Sequence, residues 1–286
     1  PPPPPSPPPS PPSPPPLFLT SLVEYTTQSK LYAGDAEAND NFGISVSLYG
    51  DTALIGAKNG DDDNNNKADS GSVYVFTRSS SDGTFTQQSK FHASDPAAED
   101  YFGISVSLYG DTALIGASYD DFDDGNSIKS NSGSVYVFTR SSVDGTFERN
   151  EEQPKLNAGS DAGASDFFGH SVSLYGDTAL IGAYLDDDNQ KSNSGSVYVF
   201  TRSSVDGTFT QQSKFYASDA TANDRFGICV SLYGDTALIG AYKDDDNTKT
   251  DSGSVYVFTR SSTDGQFTQQ SKLRASDPEA EDYFGF

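Results

Sequence analysis

Apolar and small polar residues alternate one for one in ISVSL, from Ile44 to Leu48, the period-two pattern of a strand with two unlike faces. After Tyr49, Gly50-Asp51 fits a type II′ hairpin with Gly at the first central position, so DTALIGA is predicted to return antiparallel to it. The third segment, SVYVFTR, is apolar on both faces: Val73 and Val75 point one way, Tyr74 and Phe76 the other. A strand buried on both faces belongs to a sheet that lies between other sheets. The fourth segment, FTQQSKF, is polar at alternate positions and becomes FERNEEQPKL over 147–156. Pro154 is tolerable only where no ladder donor is needed, which predicts the outer edge of the sheet. No segment carries a helical period of useful length.

These four segments recur as a unit. FG dipeptides begin at Phe42, Phe102, Phe168 and Phe226, with a truncated fifth at Phe284, a period of about 60 residues. The array opens in the last strand of a unit, because TTQSKL before the first FG matches the tail of later copies. Four antiparallel strands per unit, repeated radially, predict an all-β, β-propeller-like array of four full repeats with partial flanking strands over 25–286. A polyproline II segment over 1–16 and a connector over 17–24 precede it.

The order FG, strand, LIGA and GSVYVF resembles the FG-GAP repeat of the integrin α-subunit propeller and of many secreted bacterial and algal proteins. The resemblance covers roughly residues 25–286 and implies a ring, usually of seven blades. This chain carries four complete units, so either the ring closes with fewer blades, the chain is part of a longer protein, or neighbouring chains complete the array; the stop at Tyr283-Phe284-Gly285-Phe286, in mid-motif, favours the second. In that family the calcium loop lies between the first two strands, where this chain has only the tight Gly50-Asp51 turn, so the integrin metal site does not carry over.

A net charge of −23 argues against nucleic-acid phosphates as partners, which call for clustered Lys and Arg. It is compatible with a cationic partner, a metal ion or an acidic surface that serves solubility. The one cysteine, Cys229, excludes an intrachain disulfide; Ser45, Ser105 and Ser171 at matching positions give it the role of a small filler in a buried strand. No apolar run reaches the roughly 18 residues of a membrane helix. No signal peptide precedes the opening prolines, which fits its removal or a fragment.

Each unit has an acidic loop after GA. Candidate calcium ligands there are Asp61, Asp63 and Asn65; Asp121 and Asp123; Asp186 and Asp188; and Asp244 and Asp246, because hard oxygen ligands at every second position of a flexible loop suit that ion. The turn glycine and distal glutamate of an EF-type loop are missing, and solvated acidic turns account for the same residues. A second acidic pair precedes each FG: Asp35 and Asp40, Asp95 and Asp100, Asp161 and Asp166, Asp219 and Asp224, Asp277 and Asp282. Either it binds a metal or partner, or it accepts backbone N–H groups and fixes the crossover turn between blades.

His92 and His170 are the only histidines, and each is matched by unrelated residues in the other copies, so packing or surface roles fit them better than catalysis or zinc. No phosphate loop or nucleophile elbow is present, and the reading is of a protein without enzymatic activity.

The leader is Pro1, Pro2, Pro3, Pro4, Pro5, Ser6, Pro7, Pro8, Pro9, Ser10, Pro11, Pro12, Ser13, Pro14, Pro15 and Pro16. It resembles extensins and the hydroxyproline-rich glycoproteins of plant and green-algal walls, which implies hydroxylated, O-glycosylated prolines and sugar on serine; an unmodified rigid spacer is the alternative. Every Asn fails the N-x-Ser/Thr rule. Together these readings predict an extracellular structural glycoprotein of a wall, matrix or surface filament that associates with like chains. The alternative is a calcium-dependent adhesion module for protein or polysaccharide.

Overall fold

The computed structural model describes residues 29–61, 67–149, 153–188, 190–245 and 249–286. The Pro-rich segment 1–16, the connector 17–24, Asp63, Asn65 and Asp246 lie outside the described residues. The array belongs to a compact unit, Tyr32–Phe286.

The first blade pairs β1 (Phe42–Tyr49), β2 (Thr52–Ala57), β3 (Ser72–Arg78) and β4 (Phe85–Phe91) in that order. The second consists of β5 (Ser105–Tyr109), β6 (Thr112–Ala117), β9 (Ser134–Arg140) and β10 (Phe147–Arg149), with a small hairpin of β7 (Phe122–Asp123) and β8 (Ile128–Lys129) in its acidic loop. The third is β11 (Ser171–Tyr175), β12 (Thr178–Ala183), β13 (Ser196–Arg202) and β14 (Phe209–Phe215). The fourth is β15 (Phe226–Tyr233), β16 (Thr236–Ala241), β17 (Ser254–Arg260) and β18 (Phe267–Leu273). The all-β, propeller-like array of four antiparallel blades is therefore present as the residue pattern predicts, and the β7–β8 hairpin is an addition that the pattern did not announce.

Local chemistry explains the pairing. Tyr49 pairs with Thr52 across Gly50-Asp51, and Gly50 has φ +58°, as the first central residue of a type II′ turn requires. The doubly apolar third strand sits inside: Val73, Tyr74, Val75 and Phe76 are all buried, as are their equivalents in the second and third blades. The fourth strand is the sheet edge in every blade. In the second blade it covers only Phe147–Arg149 before the chain rejoins the sheet at Leu156, which exchanges both backbone hydrogen bonds with Val135 two residues beyond Pro154.

Successive blades stack through their first strands, β1 on β5, β5 on β11 and β11 on β15. The hydrophobic clusters span these joints. One of them packs Leu54, Val73 and Val75 of the first blade against Val106, Leu108 and Ile115 of the second. Three polar contacts recur at each joint. Ser45 Oγ donates to the Gly103 carbonyl at 2.7 Å, as Ser105 does to Gly169 and Ser171 to Gly227. The Leu108, Leu174 and Leu232 amides donate at 2.9 Å to Ser47, Ser107 and Ser173. Arg140, Arg202 and Arg260 reach back to Thr52, Thr112 and Thr178. The turn tyrosines form a ladder, with Tyr49, Tyr109, Tyr175 and Tyr233 at successive ring-centroid spacings of 5.0 Å.

Cys229 is exposed on β15, which corrects its assignment as a filler in a buried strand. Its thiol faces the Gly285 carbonyl at 3.2 Å, as the matching serines face theirs, but among the described residues no further sheet covers it.

Candidate functional site

The acidic residues fall into three structural classes that the runs of Asp in the sequence do not separate. The first is buried. Asp120, Asp186 and Asp244 stand at the third position after the GA of each blade, and their side chains turn inward. Tyr136 Oη donates to Asp95 at 2.8 Å and to Asp120 at 3.4 Å, and Lys155 Nζ lies 2.6 Å from Asp120 and 3.1 Å from Asp95. The fourth blade repeats this: Tyr256 donates to Asp219 and Asp244, and Lys272 lies within 2.8 Å of both. In the third, Tyr198 donates to Asp186 at 3.0 Å, and Lys214 pairs with it at 2.7 Å. Gly60 takes the place of the inward carboxylate in the first blade, where Lys90 pairs with Asp35 at 2.7 Å.

The electrostatics are those of mutual neutralisation. Burial, followed by the charges of Asp120 and Asp95, pushes the Tyr136 phenol well above its ordinary range, so it stays a hydrogen-bond donor. Burial would lower the Lys155 ammonium, but Asp120 and Asp95 outweigh it and hold the pKa above its ordinary value. Burial raises Asp120 more than Lys155 and Ser134 lower it. For Asp95 the balance reverses, and Tyr136 and Lys155 keep it low despite burial. In the second and fourth blades the cluster fixes the outer strand and the crossover onto the blade; in the third it ties the outer strand to the acidic loop. In each, the lysine is engaged in ion pairs, and the phenol is held protonated.

The second class closes loops. Asp61, Asp121, Asp187 and Asp245, at the fourth position after GA, each accept the backbone N–H of the residue that ends the acidic loop, respectively Asp69, Asn131, Asn193 and Asp251, at 2.7–2.9 Å. Asp61 is therefore the counterpart of Asp187, not of Asp186. The alternating set Asp186 and Asp188 combines an inward side chain with a loop residue whose backbone pairs with Lys191. Asp123 accepts the Gly125 amide in the β7–β8 hairpin. Among the described residues, no three His, Cys, Asp or Glu side chains are placed to hold a metal ion together.

The third class caps the crossover turn. Asp40, Asp100, Asp166, Asp224 and Asp282 each accept the amide three residues earlier, at 2.6–2.7 Å. Asp100, Asp166 and Asp224 are buried, and burial, opposed by that hydrogen bond, raises each pKa to about 6. The first members of the pairs differ: Asp35, Asp95 and Asp219 join lysines, Asp161 lies in the short turn Gly159–Asp161, and Asp277 precedes the last FG.

A pH dependence follows. The unfolded carboxyl titrates near 3.9 and the folded one about two units higher, so the stabilising increment is complete below pH 4 and is lost as pH rises through 6. Its size is at most about 3 kcal/mol per site. Urea midpoints are expected to fall between pH 4 and 6, and Asp166→Asn to flatten that slope while keeping an acceptor for Gly163. A wild-type midpoint independent of pH in this window would contradict the assignment.

His92 Nδ1 lies 3.2 Å from Ser72 Oγ, and the His170 ring packs on Tyr184 with centroids 4.5 Å apart. Burial lowers the His170 pKa to about 4, so the ring is neutral at pH 7. The residues missed from the sequence are Lys90, Lys155, Lys214 and Lys272 and the inward tyrosines. The recurrence of Lys in SKF and SKL opposite Tyr in SVYVF was the available signal.

The family model described as FG-GAP repeat matches residues 25–76, 85–138, 151–200 and 209–258. No curated protein matches. Among solved structures, the chain is similar to a functionally unknown protein from Desulfotomaculum acetoxidans DSM 771, at 13% identity and a TM-score of 0.48, over 85% of this chain and 60% of that one. The chain thus spans less than two thirds of that relative's length. Among the described residues no helix is long and apolar enough to cross a membrane.

Proposed function

Because the chain belongs to the FG-GAP repeat family, we propose that it is a non-enzymatic building module of an extracellular wall, matrix or surface filament. Its blades supply rigid length, and its Pro-rich leader supplies a hydroxylated, O-glycosylated rod. The observation that carries this reading is the repetition of one joint. The same serine, leucine, arginine and tyrosine contacts join every consecutive pair of blades. In the second, third and fourth blades the buried tyrosine, lysine and aspartate are engaged with one another, which favours a scaffold over a reactive centre. Extracellular placement is supported by the family's usual setting and by a Ser-Pro leader of the wall-glycoprotein type.

A second reading, adhesion or recognition of protein or polysaccharide through calcium held by the acidic loops, draws on the exposed Asp121 and Asp123 of the second blade. The two readings part on one measurement. Asp61, Asp121, Asp187 and Asp245 already close their loops on backbone donors, so the scaffold reading expects a melting temperature unchanged by millimolar calcium or by chelator. A chelator-dependent loss of several degrees would favour the second. Electron microscopy of native material should show extended assemblies, with hydroxyproline and sugar on residues 1–16 by mass spectrometry. Monodisperse globules with unmodified proline would sink the scaffold reading.

A further inference from the structure

We infer that the row of turn tyrosines is an oxidative cross-linking site, at which a one-electron oxidant joins neighbouring phenols and makes the joint between two blades covalent. This site rests on the reading of the chain as a building module, whose joints it would lock. Composition points to tyrosine first. The chain holds 16 Tyr but no Met and no Trp, and its single Cys is Cys229, so phenols are its principal oxidisable side chains. Four of them are out of reach, because Tyr74, Tyr136, Tyr198 and Tyr256 are fully buried. Tyr109 and Tyr175, of the second and third blades, are only half-buried. Tyr49 and Tyr175 each line an open hollow at the hairpin end of the blades, beside Asp and Arg side chains.

Geometry then selects the partners. The ring centroids of Tyr49 and Tyr109, of Tyr109 and Tyr175, and of Tyr175 and Tyr233 all lie 5.0 Å apart, with tilts of 51°, 52° and 59°. The Tyr175 pKa is raised, first by the charge of Tyr233 and then by slight burial and Tyr109, so the hydroxyl ends of these rings converge. The carbons next to the hydroxyl are where phenoxyl radicals couple. Each ring is also held in place, because its residue ends a first strand and pairs with the threonine across the Gly-Asp turn. A radical formed there meets its neighbour without a diffusional search. Tyr101 and Tyr119 are as close, at 4.7 Å, but cross at 81°, with the edge of one ring aimed at the face of the other.

In the reaction each phenol gives up one electron and its hydroxyl proton. The two phenoxyl radicals form one carbon–carbon bond ortho to their oxygens, and the hydrogens on the joined ring carbons pass through solvent to the oxygens, which restores both phenols. The pair has then lost two electrons and two protons. Hydrogen peroxide takes them up at a haem peroxidase and becomes two waters, so peroxide and peroxidase are the co-reactants. The dityrosine links residues one repeat apart. It therefore constrains the unfolded chain as a disulfide would, in a chain whose one cysteine can form none internally.

Treatment of the 286-residue chain with haem peroxidase and hydrogen peroxide tests the site, with Cys229→Ser in place to remove the competing thiol. Peptide mapping by mass spectrometry is expected to find dityrosine within one chain between neighbours of the row Tyr49, Tyr109, Tyr175 and Tyr233, and the urea midpoint to rise. Tyr109→Phe with Tyr175→Phe keeps both rings but leaves no adjacent phenols in the row. That variant should lose the cross-link and the rise, with circular dichroism unchanged, whereas Tyr101→Phe should lose neither. Coupling confined to the exposed Tyr32 and Tyr216, coupling of Tyr101 to Tyr119 instead of the row, or oxidation without coupling would overturn the site. Native material should carry the same cross-link. Extended native assemblies without it would overturn the locking of joints and leave the scaffold reading standing; native globules that carry it would do the reverse.

Discussion

Gly116→Ala is expected to destabilise the protein by about 3 kcal/mol or more, although it adds a single methyl group to a glycine in the middle of a strand. The position lies in the LIGA segment of β6, where the second blade meets the third. A Cβ there would run into the Gly169 carbonyl oxygen and Ser105 Oγ, the two atoms joined by the contact between these blades. Neither is the far end of a flexible side chain, so relief requires moving the FG backbone of the next blade and breaking that hydrogen bond. Gly56, Gly182 and Gly240 stand against the FG of their own next repeat in the same way. Gly110→Ala is the internal control: its Cβ would meet nothing within 4 Å, and the cost is the left-handed φ of +61° alone, about 1 kcal/mol. Urea unfolding of the two variants side by side measures the difference. Equal losses would mean that the blades do not approach through their glycines.

The contrast marks what was legible in the sequence. Strand order, the Gly50-Asp51 hairpin and the edge position of the fourth strand follow from side-chain period and turn chemistry, which act within a few residues. The role of Gly116 does not, because the atom that excludes a methyl group there belongs to Gly169, in the next repeat. Cys229 was misplaced for the same reason. Ser105 and Ser171 are buried by the following blade, and identity of position within a repeat does not show what packs on it. The acidic loops were compared by runs of Asp, which set Asp61 beside Asp186. Counting from GA instead separates the inward carboxylates, Asp120, Asp186 and Asp244, from the loop-closing Asp61, Asp121, Asp187 and Asp245. The lysines were overlooked because an edge strand with alternate polar residues leads one to expect solvent around them. Lys272, at 13% side-chain exposure between Asp219 and Asp244, is instead part of the blade.

Lys155→Met is expected to cost about 3 kcal/mol at pH 7, since it removes the cation from two carboxylates and leaves Asp120, whose side chain is 7% exposed, without a counter-charge. The lost packing is small, because Met follows the same path as the lysine stem, so the penalty lies in the unpaired charge. Two consequences separate this from a generic packing defect. Asp120 already titrates above its ordinary value, and without Lys155 its folded pKa rises further. The deficit relative to the wild type should therefore shrink as pH is lowered toward 4, where the isolated carboxyl takes up a proton. Asp120→Asn in the Lys155→Met background should recover about half of the loss, because the amide oxygen still accepts from Tyr136 and no charge remains to be desolvated. Lys129→Met, which removes a partly exposed ion pair with Asp124 at 3.9 Å, should change stability by less than about 0.5 kcal/mol. A Lys155→Met deficit that is constant from pH 4 to 8, or undiminished by Asp120→Asn, would mean that the buried cluster contributes shape and not charge balance.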